Sequence, residues 1–91
     1  MSQLSEPVTV WTGPDGLPRR FVWRDRLFVV RRVLEHWIVS RDLWRDLHPE
    51  SAEPSERRFW RVEASPDRES GVYELRHTPE TDEWTLSRVW S

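Results

Sequence analysis

The sequence contains no cysteine, no lysine and no asparagine, and it has only three glycines. The absence of cysteine excludes a disulfide scaffold and any thiolate chemistry. No apolar run approaches the roughly 20 residues of a membrane-spanning helix, and the first ten residues, MSQLSEPVTV, lack the charged and apolar regions of a signal peptide. We therefore expect a soluble, cytoplasmic protein with no membrane span.

With lysine absent, all 14 basic residues are arginine, and 16 acidic residues bring the formal net charge to -2. A domain that binds duplex DNA usually carries a strong basic excess instead. The charge is unevenly spread, because residues 19 to 45 hold eight arginines against three acids, whereas residues 62 to 91 hold three arginines against seven acids. The two segments either face each other and cancel, or lie apart and attract a partner.

The chain is rich in large aromatic side chains, with seven Trp, three Phe and one Tyr among its 91 residues. Each buried ring removes roughly 150 to 250 Å² from water, so a few rings can build the core of a small chain without a cross-link. We found no repeat and no linker. The sequence therefore predicts one domain over residues 1–91.

Short segments of alternating apolar and polar residues, separated by turn-forming residues, predict an antiparallel sheet. In one of them, Phe21 and Trp23 fall on one face and Arg20 on the other, and the dipeptide Arg24-Asp25 that follows suits a two-residue hairpin turn. We predict an all-β fold in which a small twisted antiparallel sheet of five to six strands forms a barrel or half-barrel. The alternating segments that predict these strands cover residues 7–11, 19–24, 26–33, 57–64, 71–77 and 84–90.

The stretch from residue 26 to residue 39 fits two patterns. Its apolar residues also match the spacing of an amphipathic helix, but its valine and isoleucine content and the lack of a clear helix start favour strands. We expect a strand to about Val33, a bend at 34–36, and a further strand leading to Leu43 and Trp44, with a short helix as the alternative. Residues 46–56, acidic and twice interrupted by proline, are predicted to form a mobile loop.

No motif in the sequence predicts catalysis. His36, His48 and His77 do not share a metal-ligand spacing, and the paired acids Asp82-Glu83 lie in a predicted turn where water solvates them. There is no nucleophile elbow and no glycine-rich phosphate loop. We therefore predict a protein that is not an enzyme, with no metal site and no cofactor.

Arginine beside aromatic residues at outward positions predicts a contact surface instead. We expect Trp44 and Trp90 to be partly exposed, or else to cap an open barrel end, and Phe59 to point outward because it alternates with Trp60. Such a surface suits a protein partner, or the bases and phosphates of single-stranded nucleic acid. The predicted partner-binding residues are Arg20, Arg24, Arg31, Arg32, Trp44, Arg57, Arg58 and Phe59.

Several of these segments carry a resemblance. They are F-x-W-R-x-R at residues 21–26, V-x-x-V-x-x-x-W at 30–37, W-R-V-E at 60–63, G-x-Y-x-L at 71–75 and W-x-L-x-R-V at 84–89. In this order they resemble a family of short Trp- and Arg-rich bacterial proteins filed as a domain of unknown function. That family is similar to the C-terminal domain of mutasome-type Y-family DNA polymerase-like proteins. This chain departs from the pattern at Asp25, where glycine is usual, and at Leu43, where two successive tryptophans are common.

The resemblance implies an accessory role in bacterial DNA damage tolerance, with a translesion polymerase or another mutasome component as the partner. We therefore predict a non-catalytic adaptor that binds a protein through its arginine and aromatic surface. A small barrel that binds single-stranded nucleic acid is the alternative. A third hypothesis is a structural or regulatory domain whose tryptophans all lie in the core.

Overall fold

The computed structural model describes residues 2–50 and 55–90, and in these ranges the chain consists of strands and one short helix. No helix in this part of the chain is long and apolar enough to cross a membrane. The elements are β1 (Ser2–Pro7), β2 (Thr9–Thr12), β3 (Pro18–Trp23), β4 (Arg26–Val39), α1 (Arg41–Leu47), β5 (Arg57–Ser65), β6 (Gly71–Thr78) and β7 (Glu83–Trp90).

The strands form one antiparallel sheet in the order β1-β7-β6-β5-β4-β3-β2. Strands β1 and β2 lie at opposite edges of the sheet, although only Val8 separates them along the chain. The sheet must therefore curl until its two edges approach each other, and the Val8 N–H donates to the Trp84 carbonyl at 3.1 Å. The predicted all-β half-barrel is confirmed.

The sheet has seven strands where five to six were predicted. The additional strand is β1, whose sequence SQLSEP has no apolar alternation to announce it. Its position depends on pairing with β7, in which Gln3 lies opposite Arg88 and Glu6 opposite Leu86. Alternation of apolar and polar residues cannot predict a strand whose position depends on pairing with its neighbour.

Strand β4 runs unbroken from Arg26 to Val39, through the residues where the sequence predicted a bend. Its pairing with β5 shifts register twice, between Val30 and Arg32 and between Val33 and Glu35. A bulge adds one residue to a strand and increases its local twist, so the strand curves without ending. The alternative of a helix within residues 26 to 39 is wrong.

Helix α1 lies where the sequence favoured a strand leading to Leu43 and Trp44 and left a short helix as the alternative. Ser40 caps it, since the Ser40 Oγ accepts a hydrogen bond from the Leu43 N–H at 3.2 Å, and Asp42 places a negative charge in the first turn. The loop predicted at 46–56 overlaps the last residues of this helix. Residues 51–54 of that loop lie outside the described residues.

The core fills the concave side of the curled sheet. Phe21 is fully buried and stacks on Phe28 with 4.9 Å between ring centroids. Burial of an aliphatic or aromatic side chain contributes about 1.5 to 3 kcal/mol. The period-two pattern correctly placed Phe21 on the face opposite to Arg20. The buried core residues are Phe21, Phe28, Trp60, Val62, Ala64, Leu75 and Leu86.

Candidate interaction surface

The convex side of strands β2 to β4 carries exposed apolar side chains. Trp11 lies opposite Arg20, which lies opposite Val29, and on the next rung Val22 lies opposite Leu27. Trp11 is 42% exposed, Leu27 46% and Val29 41%. Directly opposed residues of antiparallel strands point to the same face, so these side chains form one continuous patch. We call these five residues the β2–β4 outer face.

The turn between β3 and β4 sets the register of this face. Arg24 and Asp25 both adopt positive φ, at 51° and 63°, between the paired residues Trp23 and Arg26. Two consecutive positive φ values are typical of the two-residue turn that matches the twist of the flanking strands. The predicted hairpin is confirmed, and it places Leu27 opposite Val22 on the convex side.

Two arginines at this face, Arg20 and Arg31, have guanidinium groups that no carboxylate of the described residues neutralises. The Arg20 guanidinium lies over the Trp11 ring, 5.2 Å from its centroid. The Arg31 Nε donates to the Ser65 Oγ at 3.2 Å. Within residues 2–50 and 55–90, neither Arg20 nor Arg31 forms an ion pair with a carboxylate. The outer face therefore combines apolar area with guanidinium groups that can receive an acidic group.

Three of the other predicted arginines already have acidic neighbours. The hydrogen bond from Arg24, followed by that from the Trp23 indole N–H, lowers the pKa of the Glu6 carboxyl. The three ion pairs between these arginines and their acidic neighbours are exposed. Exposed ion pairs contribute little to stability and can be exchanged for pairs with a partner. They are Arg24 with Glu6 at 2.8 Å, Arg32 with Glu63 at 3.4 Å and Arg58 with Glu56 at 3.0 Å.

Trp44 and Phe59 were expected to be exposed, and both are buried, at 7% and 8%. Helix α1 lays the Trp44 ring against the convex side of the sheet, 6.4 Å from the Phe59 ring. Phe59 does point outward, but Trp37 stacks on it at 5.2 Å. The guanidinium groups of Arg57 and Arg76 lie 4.5 and 5.3 Å from the Trp44 ring centroid. This part of the predicted surface is covered by helix α1, in a region where the sequence favoured a strand.

Trp90 is partly exposed, as predicted. The Arg61 guanidinium lies 4.7 Å from the centroid of the Trp90 ring and 5.4 Å from that of Trp37. Cation–π contacts of this kind hold a guanidinium between two rings. The arrangement continues the packing of Trp44 and Phe59 across the convex side and explains why aromatic and arginine residues alternate there.

The eight predicted residues therefore do not form one surface. Arg32 lies opposite Glu63, whereas Arg58 lies opposite Ile38, six residues further along β4. At roughly 3.3 Å per residue this is a separation of about 20 Å. Arg20, Arg24, Arg31 and Arg32 lie on β3, the turn and β4, beside the outer face; Trp44, Arg57, Arg58 and Phe59 lie at the other end of β4.

The sequence analysis did not identify Trp11, Leu27 and Val29 as surface residues. A signal for them existed, because all three take the outward parity once Phe21 and Phe28 point inward. The sequence analysis assigned no face to them. Apolar type predicts burial only on average, and an exposed apolar cluster is the informative exception.

Each of the three histidines packs against a tryptophan. His36 stacks on Trp60 at 4.6 Å, and the remaining two contacts are His48 on Trp44 at 4.1 Å and His77 on Trp84 at 4.4 Å. No group of three or more His, Cys, Asp or Glu that could hold a metal ion occurs among the described residues. Two of the imidazoles also contact one carboxylate each, His77 with Asp82 at 2.8 Å and His48 with Glu50 at 3.4 Å.

The comparison with protein families gives one match, which spans residues 1–91. Neither the curated proteins nor the solved structures yielded a match. The matching model covers the curled sheet, the helix and the outer face together. The chain therefore belongs to the family described as a domain of unknown function, DUF6504.

Proposed function

We propose that this chain is a non-catalytic adaptor that binds a protein partner through the β2–β4 outer face. The observation that supports it is the contiguous exposure of Trp11, Leu27 and Val29 around the Arg20 guanidinium. Tryptophan and arginine are the residues most enriched at the energetic centres of protein interfaces. The complementary partner surface carries apolar side chains around one or more carboxylates.

The partner we propose is a translesion polymerase or another component of the mutasome. This assignment rests on the resemblance of segments 21–26, 60–63 and 84–89 to the C-terminal domain of Y-family polymerase-like proteins. The role would be in bacterial DNA damage tolerance, where the chain would connect proteins rather than carry out a reaction.

Single-stranded nucleic acid is the second candidate ligand for the same face. The observation in its favour is the exposed indole of Trp11 beside the Arg20 guanidinium, which has no acidic partner among the described residues. Bases stack on exposed aromatic rings while arginines contact phosphates. The net charge of -2 favours the protein partner.

The test measures binding of the purified chain to the translesion polymerase of its host, by pull-down and by titration. Trp11→Ala and Arg20→Glu should each weaken binding at least about tenfold, as expected for residues at the centre of an interface. Arg41→Glu is the matched control, because Arg41 is exposed on α1 at the other end of β4. Thermal melting of all variants verifies that they are folded.

A titration with a single-stranded oligonucleotide over a salt series separates the two candidates. Phosphate contacts would give an affinity that falls linearly on a logarithmic salt scale. The adaptor proposal is rejected if Trp11→Ala and Arg20→Glu bind the polymerase as tightly as the wild type, or if the wild type does not bind it at all. Absence of oligonucleotide binding at low salt rejects the second candidate.

A further inference from the structure

Over its second half, strand β4 has a strand partner on one side only. Its pairing with β3 ends where Arg20 meets Val29, whereas its pairing with β5 continues to Val39 and Arg57. The turn after β2 and the start of β3 lie beside residues 30–33, since they line a common cavity with them. In the part of the chain that the structure describes, no strand pairs with the far side of residues 34–39.

An unpaired strand edge presents backbone N–H and C=O groups that another strand can join. Folded proteins commonly protect such edges with lysine, proline, inward-pointing charges or β-bulges. The register shift of β4 between Val33 and Glu35 lies at the start of this edge, and residues 35–39 pair with β5 without a further shift. The segment 34–39, LEHWIV, contains no arginine, lysine or proline, and its one acid, Glu35, is paired with Arg61 at 3.2 Å. Two of its apolar side chains are exposed, Leu34 at 39% and Ile38 at 54%. The edge is therefore open to pairing.

We propose that this edge pairs with the same edge of a second copy of the chain, in a symmetric antiparallel dimer centred on His36. In this register His36 faces His36 of the second copy across the twofold axis. Leu34 of each copy then lies opposite Ile38 of the other. This apolar pair forms once on each side of the axis. The two curled sheets become continuous through the β4 strands.

The register follows from the positions of the side chains. His36 and Ile38 lie opposite Trp60 and Arg58 of β5 and therefore share one face of the sheet. Centring on Glu35 would bring two carboxylates together, and centring on Trp37 would leave Leu34 without a partner. Centring on His36 instead places each Glu35 opposite Trp37 of the other copy.

A second copy fits this edge because the segment is self-complementary about His36, and twofold dimers are the commonest assemblies of identical chains. This inference goes beyond the proposed adaptor function. It uses the far end of β4 and no residue of the β2–β4 outer face, so the dimer would carry two separate outer faces. Each of them stays available for a partner protein.

The experiment measures the molar mass of the full chain by sedimentation equilibrium over a concentration series. The wild type should be a dimer, and His36→Glu and His36→Arg should each raise the dimer Kd at least about tenfold, because like charges then face each other directly. An equimolar mixture of the two variants should restore a dimer, with Glu opposite Arg at the axis. Native mass spectrometry distinguishes this heterodimer from either homodimer.

His36→Gln is the matched control, since it removes the stacking on Trp60 without adding charge and should remain dimeric. Ile38→Glu, at an exposed position, is a second dissociating variant that tests the pairing if the charged His36 variants fail to fold, which circular dichroism reveals. The proposal is overturned if the wild type is monomeric up to about 1 mM, the weak limit of specific association. It is equally overturned if the folded charged variants dimerise as tightly as the wild type, or if their mixture forms no heterodimer.

Discussion

The carboxylate of Glu74 accepts a hydrogen bond from the Ser87 Oγ at 2.7 Å, although Glu74 is only 5% exposed. Two guanidinium groups lie near the same carboxylate, Arg61 at 4.0 Å and Arg88 at 3.8 Å. A buried charge is tolerated where donors and opposite charges surround it. The convex side of the sheet therefore contains a polar cluster between β5, β6 and β7 that the sequence pattern did not indicate.

Removing the donor from this cluster should destabilise the fold. Ser87→Ala leaves the buried Glu74 carboxylate without its shortest hydrogen bond, and we expect the free energy of unfolding to fall by about 1 to 3 kcal/mol. Urea denaturation monitored by tryptophan fluorescence measures the change. Ser70→Ala, at an exposed position, is the control and should have no effect. Equal stability of the two variants would show that the hydrogen bond has no structural role.

The cap of helix α1 should be worth a measurable part of the stability. Ser40→Ala removes the acceptor for the Leu43 N–H, and loss of such a cap typically costs about 1 kcal/mol. Ser40→Asp keeps an acceptor at the same position and should retain most of the stability. Thermal melting of both variants checks this. If Ser40→Ala melts at the same temperature as Ser40→Asp, the capping hydrogen bond does not stabilise α1, the helix that carries Trp44.

The turn at Arg24 and Asp25 should gain stability from glycine. Asp25 has a φ of 63°, in the left-handed region that is unfavourable for residues with a Cβ. We expect Asp25→Gly to stabilise the chain by about 0.5 kcal/mol and Asp25→Ala to destabilise it by a similar amount. Chemical denaturation gives both values. A destabilising glycine would mean that the Asp25 side chain makes a stabilising contact of its own.

The pKa of the Glu6 carboxyl should depend on Arg24. The Arg24 hydrogen bond, and after it that of Trp23, lowers the pKa of Glu6 in the folded chain. A carboxyl with a lowered pKa stabilises the fold above its ordinary pKa, and this contribution is lost as the pH falls through the lowered value. Arg24→Gln should move the pKa of Glu6 back toward its ordinary value, which an NMR titration of the Glu6 side chain detects. An unchanged titration would exclude the pair as the cause.

Period-two alternation predicted much of the sheet correctly. Phe21 and Trp60 were assigned to the interior because their strands alternate, and both are buried. The turn at Arg24 and Asp25 was predicted because it separates two such strands. These features depend on residues adjacent in sequence, so local pattern is enough to find them.

The candidate surface was predicted less well, because exposure depends on elements that are distant in sequence. Trp44 and Phe59 were predicted to be surface residues, and they are buried because α1 places the Trp44 ring near Phe59 and because Trp37 stacks on Phe59. Trp11 was not predicted as a surface residue, and it is exposed on the convex side of β2. Parity tells which face a residue takes, but not whether another element covers that face.

The order of apolar residues along each segment was thus sufficient to specify strands, their inward residues and the all-β class, since these follow from backbone geometry. The curl that brings the edge strands β1 and β2 toward each other, the burial of Trp44 under α1 and the open edge at residues 34–39 depend on long-range packing and pairing. Contacts between residues far apart in the chain decide which polar groups find partners and which apolar groups stay in water, and a single sequence does not record those contacts.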